Sequence, residues 1–149
     1  MKTHDYSTTF LVDQTPAQAF DAITNVRGWW SEGIEGDTHR LDAEFVYQYK
    51  GFHRSTQKMV ELLPGQKVVW LVTDSRLNFI TNKAEWTGSK LCFEVTPRDG
   101  KTQVRFTHEG LVPDHECFDA CTHAWTGYIQ DSLRGLIVSG KGKPDPAEN

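Results

Sequence analysis

His108 is the residue whose type and position most invite chemistry. Val104, Phe106 and His108 share one strand parity, so the imidazole points to the same inward face as its apolar neighbours. Such an imidazole fits one of two roles. It orients a ligand or exchanges a proton with it from a cavity wall, or it is a core histidine satisfied by a nearby backbone group. Tyr128 and Ser132 raise the same question, because both interrupt an apolar helical stripe where Leu or Ile would pack better. A polar group on a buried face needs a partner from protein, water or ligand.

Tryptophan is the other conspicuous resource: there are five in 149 residues, and side chains this large must be buried or line something. Trp125 and Tyr128, one helical turn apart, can form a flat apolar wall with a polar tip. Trp70 shares parity with Val68 and Val72, and Trp86 with Ala84 on an expected strand. Each is either core or the lining of a pocket deep enough for a ring system. Trp29 and Trp30 are adjacent, and neighbours on a helix point about 100° apart. One is therefore expected to face the core near the cavity mouth and the other to be part-exposed or to meet a partner. With Ile129 on the helical stripe, the expected ligand-binding set is Trp29, Trp30, Trp70, Trp86, Phe106, His108, Trp125, Tyr128, Ile129 and Ser132.

Other constellations carry less. Cys117 and Cys121 are one turn apart, but His123 projects about 160° away from Cys121, and His115 alone cannot complete a closed zinc site. No metal and no cofactor is expected. Nucleophile elbow, phosphate-cradling loop and paired carboxylates are all missing from the sequence. Residues 31–37 are glycine-rich but acidic, which repels phosphate, and read as a mobile loop that could lid one end of a cavity. Glu61, Glu85 and Asp131 read as solvated charges.

The elements that must position these groups follow from local pattern. Residues 115–139 carry apolar side chains at three- and four-residue steps and read as one uninterrupted amphipathic helix. Residues 6–12 alternate as a first strand. Thr15 then caps a helix with Pro16 at its first position and Gln18 completing a capping box. Strands are expected at about 43–49, 52–63, 67–73, 83–87, 90–96 and 102–109. Asp99 and Gly100 form the clearest hairpin turn, since both tolerate positive φ. Successive strands with short turns make an antiparallel meander, and the terminal helix covers one face of it.

Bulk properties narrow the class. The chain has room for one domain, with 38% hydrophobic and 24% charged residues. Its net charge of −4 and the lack of a basic cluster argue against nucleic-acid binding. Residues 1–5 lack the apolar core of a signal peptide and no stretch suits a membrane span, so a cytoplasmic location is expected. Three cysteines make no disulfide framework, as suits a reducing compartment. Residues 141–149 have the composition of a disordered tail after a single domain at 1–140.

Several runs together carry a family resemblance. They are TPAQAFDAIT at 15–24 followed by Trp29 and Trp30, VELLPG at 60–65 leading into Val68, Val69 and Trp70, and FTHEGL at 106–111 followed by Trp125 and Tyr128. In this order and spacing the chain resembles the START-like helix-grip superfamily (SRPBCC), and within it the branch of the heat-shock-protein-ninety ATPase activator homologue. Ala124 departs from the glycine many relatives carry before the helix tryptophan. Asp42 and Ala43 stand where a glycine often opens the second strand. The resemblance implies an α+β helix-grip fold: a curved antiparallel sheet of about six to seven strands around a long C-terminal helix, with two short helices after strand one.

Members of that superfamily include lipid carriers, polyketide cyclases and stress-response proteins, so fold alone does not settle function. The leading expectation is a protein that binds a small hydrophobic or aromatic molecule between sheet and helix, as a monomer or weak homodimer. One alternative is a cyclase, dehydratase or hydrolase using His108 with Tyr128 or Ser132. Another is a co-chaperone-like module whose partner, a chaperone or other protein, meets the part-exposed tryptophan and the acidic 31–37 loop.

Overall fold

The structure is a computed structural model and describes residues 5–113 and 115–146. Chain order is β1 (Tyr6–Val12), α1 (Pro16–Thr24), a single 3-10 turn (Val26–Gly28), β2 (Glu35–Gly36), β3 (Glu44–Tyr49), β4 (His53–Leu63), β5 (Lys67–Leu77), β6 (Lys90–Arg98), β7 (Lys101–Glu109) and a C-terminal helix over residues 118–139. The strands form one antiparallel sheet in the order β1-β7-β6-β5-β4-β3-β2. The helix-grip α+β architecture expected from sequence is the one found.

Local chemistry accounts for most boundaries. Thr15 Oγ1 accepts from the Gln18 backbone N–H, and the Gln18 side chain accepts from the Thr15 N–H, which is the expected capping box. Asp99 (φ 52°) and Gly100 (φ 80°) turn the chain between β6 and β7, a conformation glycine adopts without steric cost. Along β7, Thr102, Val104, Phe106 and His108 are buried and alternate with more exposed residues, so every second side chain enters the core. Two register shifts between β4 and β5, at Thr56/Gln57 and Met59/Glu61, bend the sheet around the helix.

Several expectations change. Residues 83–87 are not a strand. They belong to a loop of successive turns closed by Gly88 at φ +89°, while β5 runs on to Leu77 against the start of β4. The C-terminal helix starts at Phe118 rather than 115, and it is not uniform. Phe118–Thr126 (α2) and Arg134–Ser139 (α3) flank a π-helical stretch, Gly127–Leu133. There the Arg134 N–H reaches back five residues to the Ile129 carbonyl. Cys121, Trp125, Ile129, Leu133 and Ile137 are all buried at strict steps of four, each overshooting a 3.6-residue turn by about 40°. The wider π turn absorbs that drift and keeps the stripe on the sheet.

Trp29 and Trp30 are both buried, at 0% and 1% exposure, and their rings stack with centroids 5.9 Å apart. The expected exposed member does not exist. Trp29 leaves the 3-10 turn with φ −137°, so the helical angle between neighbours does not apply.

The segment after Gly140 also differs from its composition. Residues 141–146 run back along the helix as a strap. The Lys143 N–H donates to Ser132 Oγ, the Asp145 N–H to the Trp30 carbonyl, and the Glu32 N–H to the Asp145 carbonyl. Gly142 is needed there, since a Cβ would lie 2.3 Å from the Gly28 carbonyl oxygen. Residues 147–149 of the expected tail lie outside the described residues. The 31–37 loop is likewise pinned, because Arg27 donates to the carbonyls of Ile34 (2.9 Å) and Gly36 (2.8 Å) and Ile34 is buried.

Candidate functional site

Small residues on the helix create the site. Ala120 and Ala124 occupy one turn of α2 on the side away from the core, where the sheet and the 78–88 loop curve past without filling the gap. The result is a cavity of about 500 Å³ lined by Trp30, Tyr47, Tyr49, Phe52, His53, Phe79, Trp86, Ala120, Cys121, Ala124, Trp125, Tyr128 and Asp145. Such a volume lies in the range of small-molecule sites. Phe52 and Phe79 are 54% and 43% exposed, which marks the open side, whereas Trp30, Trp86 and Trp125 are buried. The rings hold one another: Trp30 stacks on Tyr47 at 4.4 Å, Trp86 on Trp125 at 5.7 Å, and His53 sits edge-on to Trp86 at 4.4 Å.

One part of this lining is polar. The Tyr128 hydroxyl donates to Asp145 Oδ2 at 2.5 Å and the Tyr47 hydroxyl donates to the same oxygen at 3.1 Å. The two phenol oxygens are 3.0 Å apart. Burial raises the pKa of Tyr47, and the neighbouring Tyr128 and Asp145 raise it further. Burial followed by the bond to Asp145 does the same for Tyr128. Both phenols are therefore neutral donors at physiological pH, and neither serves as a base. His53 Nε2 bonds Ser55 Oγ at 3.2 Å, and burial lowers its pKa to about 3, so it too is neutral.

Of the residues singled out from sequence, Trp30, Trp86, Trp125 and Tyr128 converge on this cavity. The other six lie in the core. Trp29 donates its indole N–H to the Ile23 carbonyl. Trp70 is wedged between Phe45 and Phe93, and Phe106 between Phe93 and Trp125 at 4.8 and 4.5 Å. Ile129 is fully buried. Ser132 Oγ donates to the Trp29 carbonyl and accepts from the Lys143 N–H, both at 2.7 Å. Its polarity holds the strap rather than a ligand.

His108 is the most instructive of these. Trp125 Nε1–H donates to His108 Nδ1 at 3.0 Å, so the ring proton sits on Nε2 and is given to Ser89 Oγ at 2.8 Å. Ser89 passes its own proton to the Trp86 carbonyl. Both nitrogens are used, and burial, with smaller contributions from His115 and His53, lowers the pKa to about 3. The imidazole is a neutral bridge between the helix and the loop that carries Trp86. It orients two cavity walls without touching the cavity.

Glu85 is also more than a solvated charge. Its two carboxylate oxygens accept the backbone N–H groups of Glu116 and Cys117, each at 3.0 Å, and so cap a helix whose own first residues supply no side-chain cap. Burial opposes its charge, but those backbone bonds outweigh it and hold the pKa below the usual value. Cys117 takes the Trp86 indole N–H on its sulfur at 3.4 Å. The loop is thereby tied to α2 at Trp86 and Glu85.

Sequence reasoning missed Tyr47, Tyr49, Phe52, His53, Phe79, Ala120, Cys121, Ala124 and Asp145. Two signals were there to find. Ala120 and Ala124 stand at an i, i+4 interval beside an aromatic stripe, and Phe52 and Phe79 sit in turn-rich segments where a large apolar side chain has little to pack against.

Solved structures share this architecture. The chain superposes on Aha1 from Colwellia psychrerythraea, a dimer solved in solution, with a TM-score of 0.75 and 21% identity, over 93% of this chain and 99% of that one. Mll3558 from Rhizobium loti gives 0.69 and 17% identity over 92% and 98% of the two chains. CalU16 from Micromonospora echinospora gives 0.62 and 11% over 93% and 87%. No family model matches the chain, and no curated protein does. The resemblance read from sequence is thus present in the fold, at identities where fold is what is shared. Among the described residues no helix is long and apolar enough to cross a membrane.

Proposed function

We propose that this chain is a cytoplasmic binding protein that holds one small, largely aromatic or apolar molecule in the cleft between its sheet and its C-terminal helix. The observation that carries the reading is the cavity of about 500 Å³ whose walls are mostly aromatic and whose polar groups converge at Tyr47, Tyr128 and Asp145. Apolar walls with a few converging polar groups are how small-molecule sites combine affinity with orientation. The free, buried state of Cys92, Cys117 and Cys121 suits a reducing compartment.

Turnover through His108 finds no support in this geometry, because both ring nitrogens are spent inside the core. A contact surface built on Trp30 finds none either, since that ring is buried.

The test is an intrinsic tryptophan-fluorescence titration with a panel of fused-ring and alkylphenyl ligands, charged and neutral. Wild-type protein should give a saturable change with at least one of them. Ala124→Phe, which fills the cavity from its open side, should abolish that change with little effect on thermal stability. The reading fails if nothing in the panel saturates, or if Ala124→Phe binds like the wild type.

A further inference from the structure

Eight of the thirteen residues lining the cavity are Trp, Tyr or Phe, and none is Lys or Arg. The one carboxylate among them is Asp145. Its backbone is tied on both sides, to Trp30 and to Glu32, so the side chain is held in place. Oδ2 receives the two tyrosine hydroxyls, which share its charge without neutralising it. No ion pair to Asp145 occurs among the described residues. Lys50 lies 5.5 Å from the Tyr49 ring centroid but is not on the wall. His53, the remaining basic side chain there, is held neutral by burial.

Resting on the cavity's role as a binding site, we propose that its ligand is an organic cation: an ammonium or quaternary ammonium head seated among the aromatic rings against Asp145, with an apolar body lying along Ala120 and Ala124. The faces of Trp and Tyr rings carry negative electrostatic potential and attract cations, most strongly where water is displaced. The head supplies Asp145 with the counter-charge that no ion pair among the described residues provides. An anion of the same shape meets a like charge there.

Three naphthalene probes of one shape test this by isothermal titration calorimetry on the whole chain: 1-naphthylmethyl-trimethylammonium, its neutral carbon isostere 1-neopentylnaphthalene, and 1-naphthylmethanesulfonate. The cation should bind at least about tenfold tighter than the neutral probe, with the anion weakest. Asp145→Asn should erase most of that advantage while leaving the neutral probe's Kd within about twofold. A neutral or anionic probe that binds as tightly as the cation overturns the cation assignment and leaves the binding site standing. Equal loss of cationic and neutral probes in Asp145→Asn overturns it too, since the carboxylate then only holds the strap. Failure of all three probes removes both the assignment and the binding site beneath it.

Discussion

Acidification from pH 7 to pH 5 is expected to cost this protein about 2 kcal/mol of stability through His108 alone. In the unfolded chain the ring ionises near its ordinary value of about 6.5, whereas in the fold burial holds it down to about 3. Between those limits the unfolded state carries one proton more than the native state, so stability falls as pH falls, by about 1.4 kcal/mol per pH unit once well below 6.5. The structure gives the reason: Nδ1 must stay unprotonated to accept the Trp125 N–H. His53 adds a contribution of the same sign, smaller because part of its side chain meets the open cavity.

Urea unfolding followed by tryptophan fluorescence at the two pH values, in wild type and His108→Gln, isolates the effect. The glutamine amide can accept and donate at similar places but does not titrate. The variant should be less stable at pH 7 by about 1–3 kcal/mol, because its hydrogen bonds are less well aligned. It should lose about 2 kcal/mol less than wild type on going to pH 5. An identical acid loss in both proteins would refute the argument, as would an NMR titration placing His108 near 6.5.

Removing the Glu85 carboxylate (Glu85→Ala) should cost about 1 kcal/mol, the usual value of a helix cap, with hydrogen exchange accelerated at the Glu116 and Cys117 amides. Gly142→Ala puts a Cβ 2.3 Å from the Gly28 carbonyl oxygen. It should lift the strap, destabilise by about 1–3 kcal/mol as overpacking does, and open residues 141–146 to limited proteolysis. Thr15→Ala removes one half of the capping box and should cost about 1 kcal/mol, read as a melting temperature lower by about 2–4 °C.

How much of this was legible in the sequence depended on how local the cause was. The capping box at Thr15, the turn at Asp99 and Gly100, and the inward parity of His108 each rest on residues within four positions of one another, and each is found as read. The stripe from Cys121 to Ile137 was legible as a buried face. Its strict four-residue interval also held the π stretch, although a 3.6-residue template hides it. Trp29 and Trp30 were misjudged because a helical angle was applied where the backbone had already left the helix. Trp86 was assigned to a strand because alternation with Ala84 cannot reveal that Glu85 and Trp86 are anchored to a helix some thirty residues away.

Hydrophobic period and capping chemistry act over one or two turns, and they were enough for most of the elements, their order and the faces they bury. The sequence also supplied four of the cavity's aromatic walls, since large rings must go somewhere. Long-range packing settled which polar groups are spent and which are available. His108 and Ser132 are consumed by partners at Trp125, Ser89, Trp29 and Lys143, while Tyr47, Tyr128 and Asp145, separated in the chain by as many as 98 positions, meet at one oxygen. A cavity is the space left between segments distant in sequence, and here it exists because two alanines face a hairpin and a loop that do not close on them. The alanine pair marks where a gap can form, but only the packing of those distant segments leaves it open.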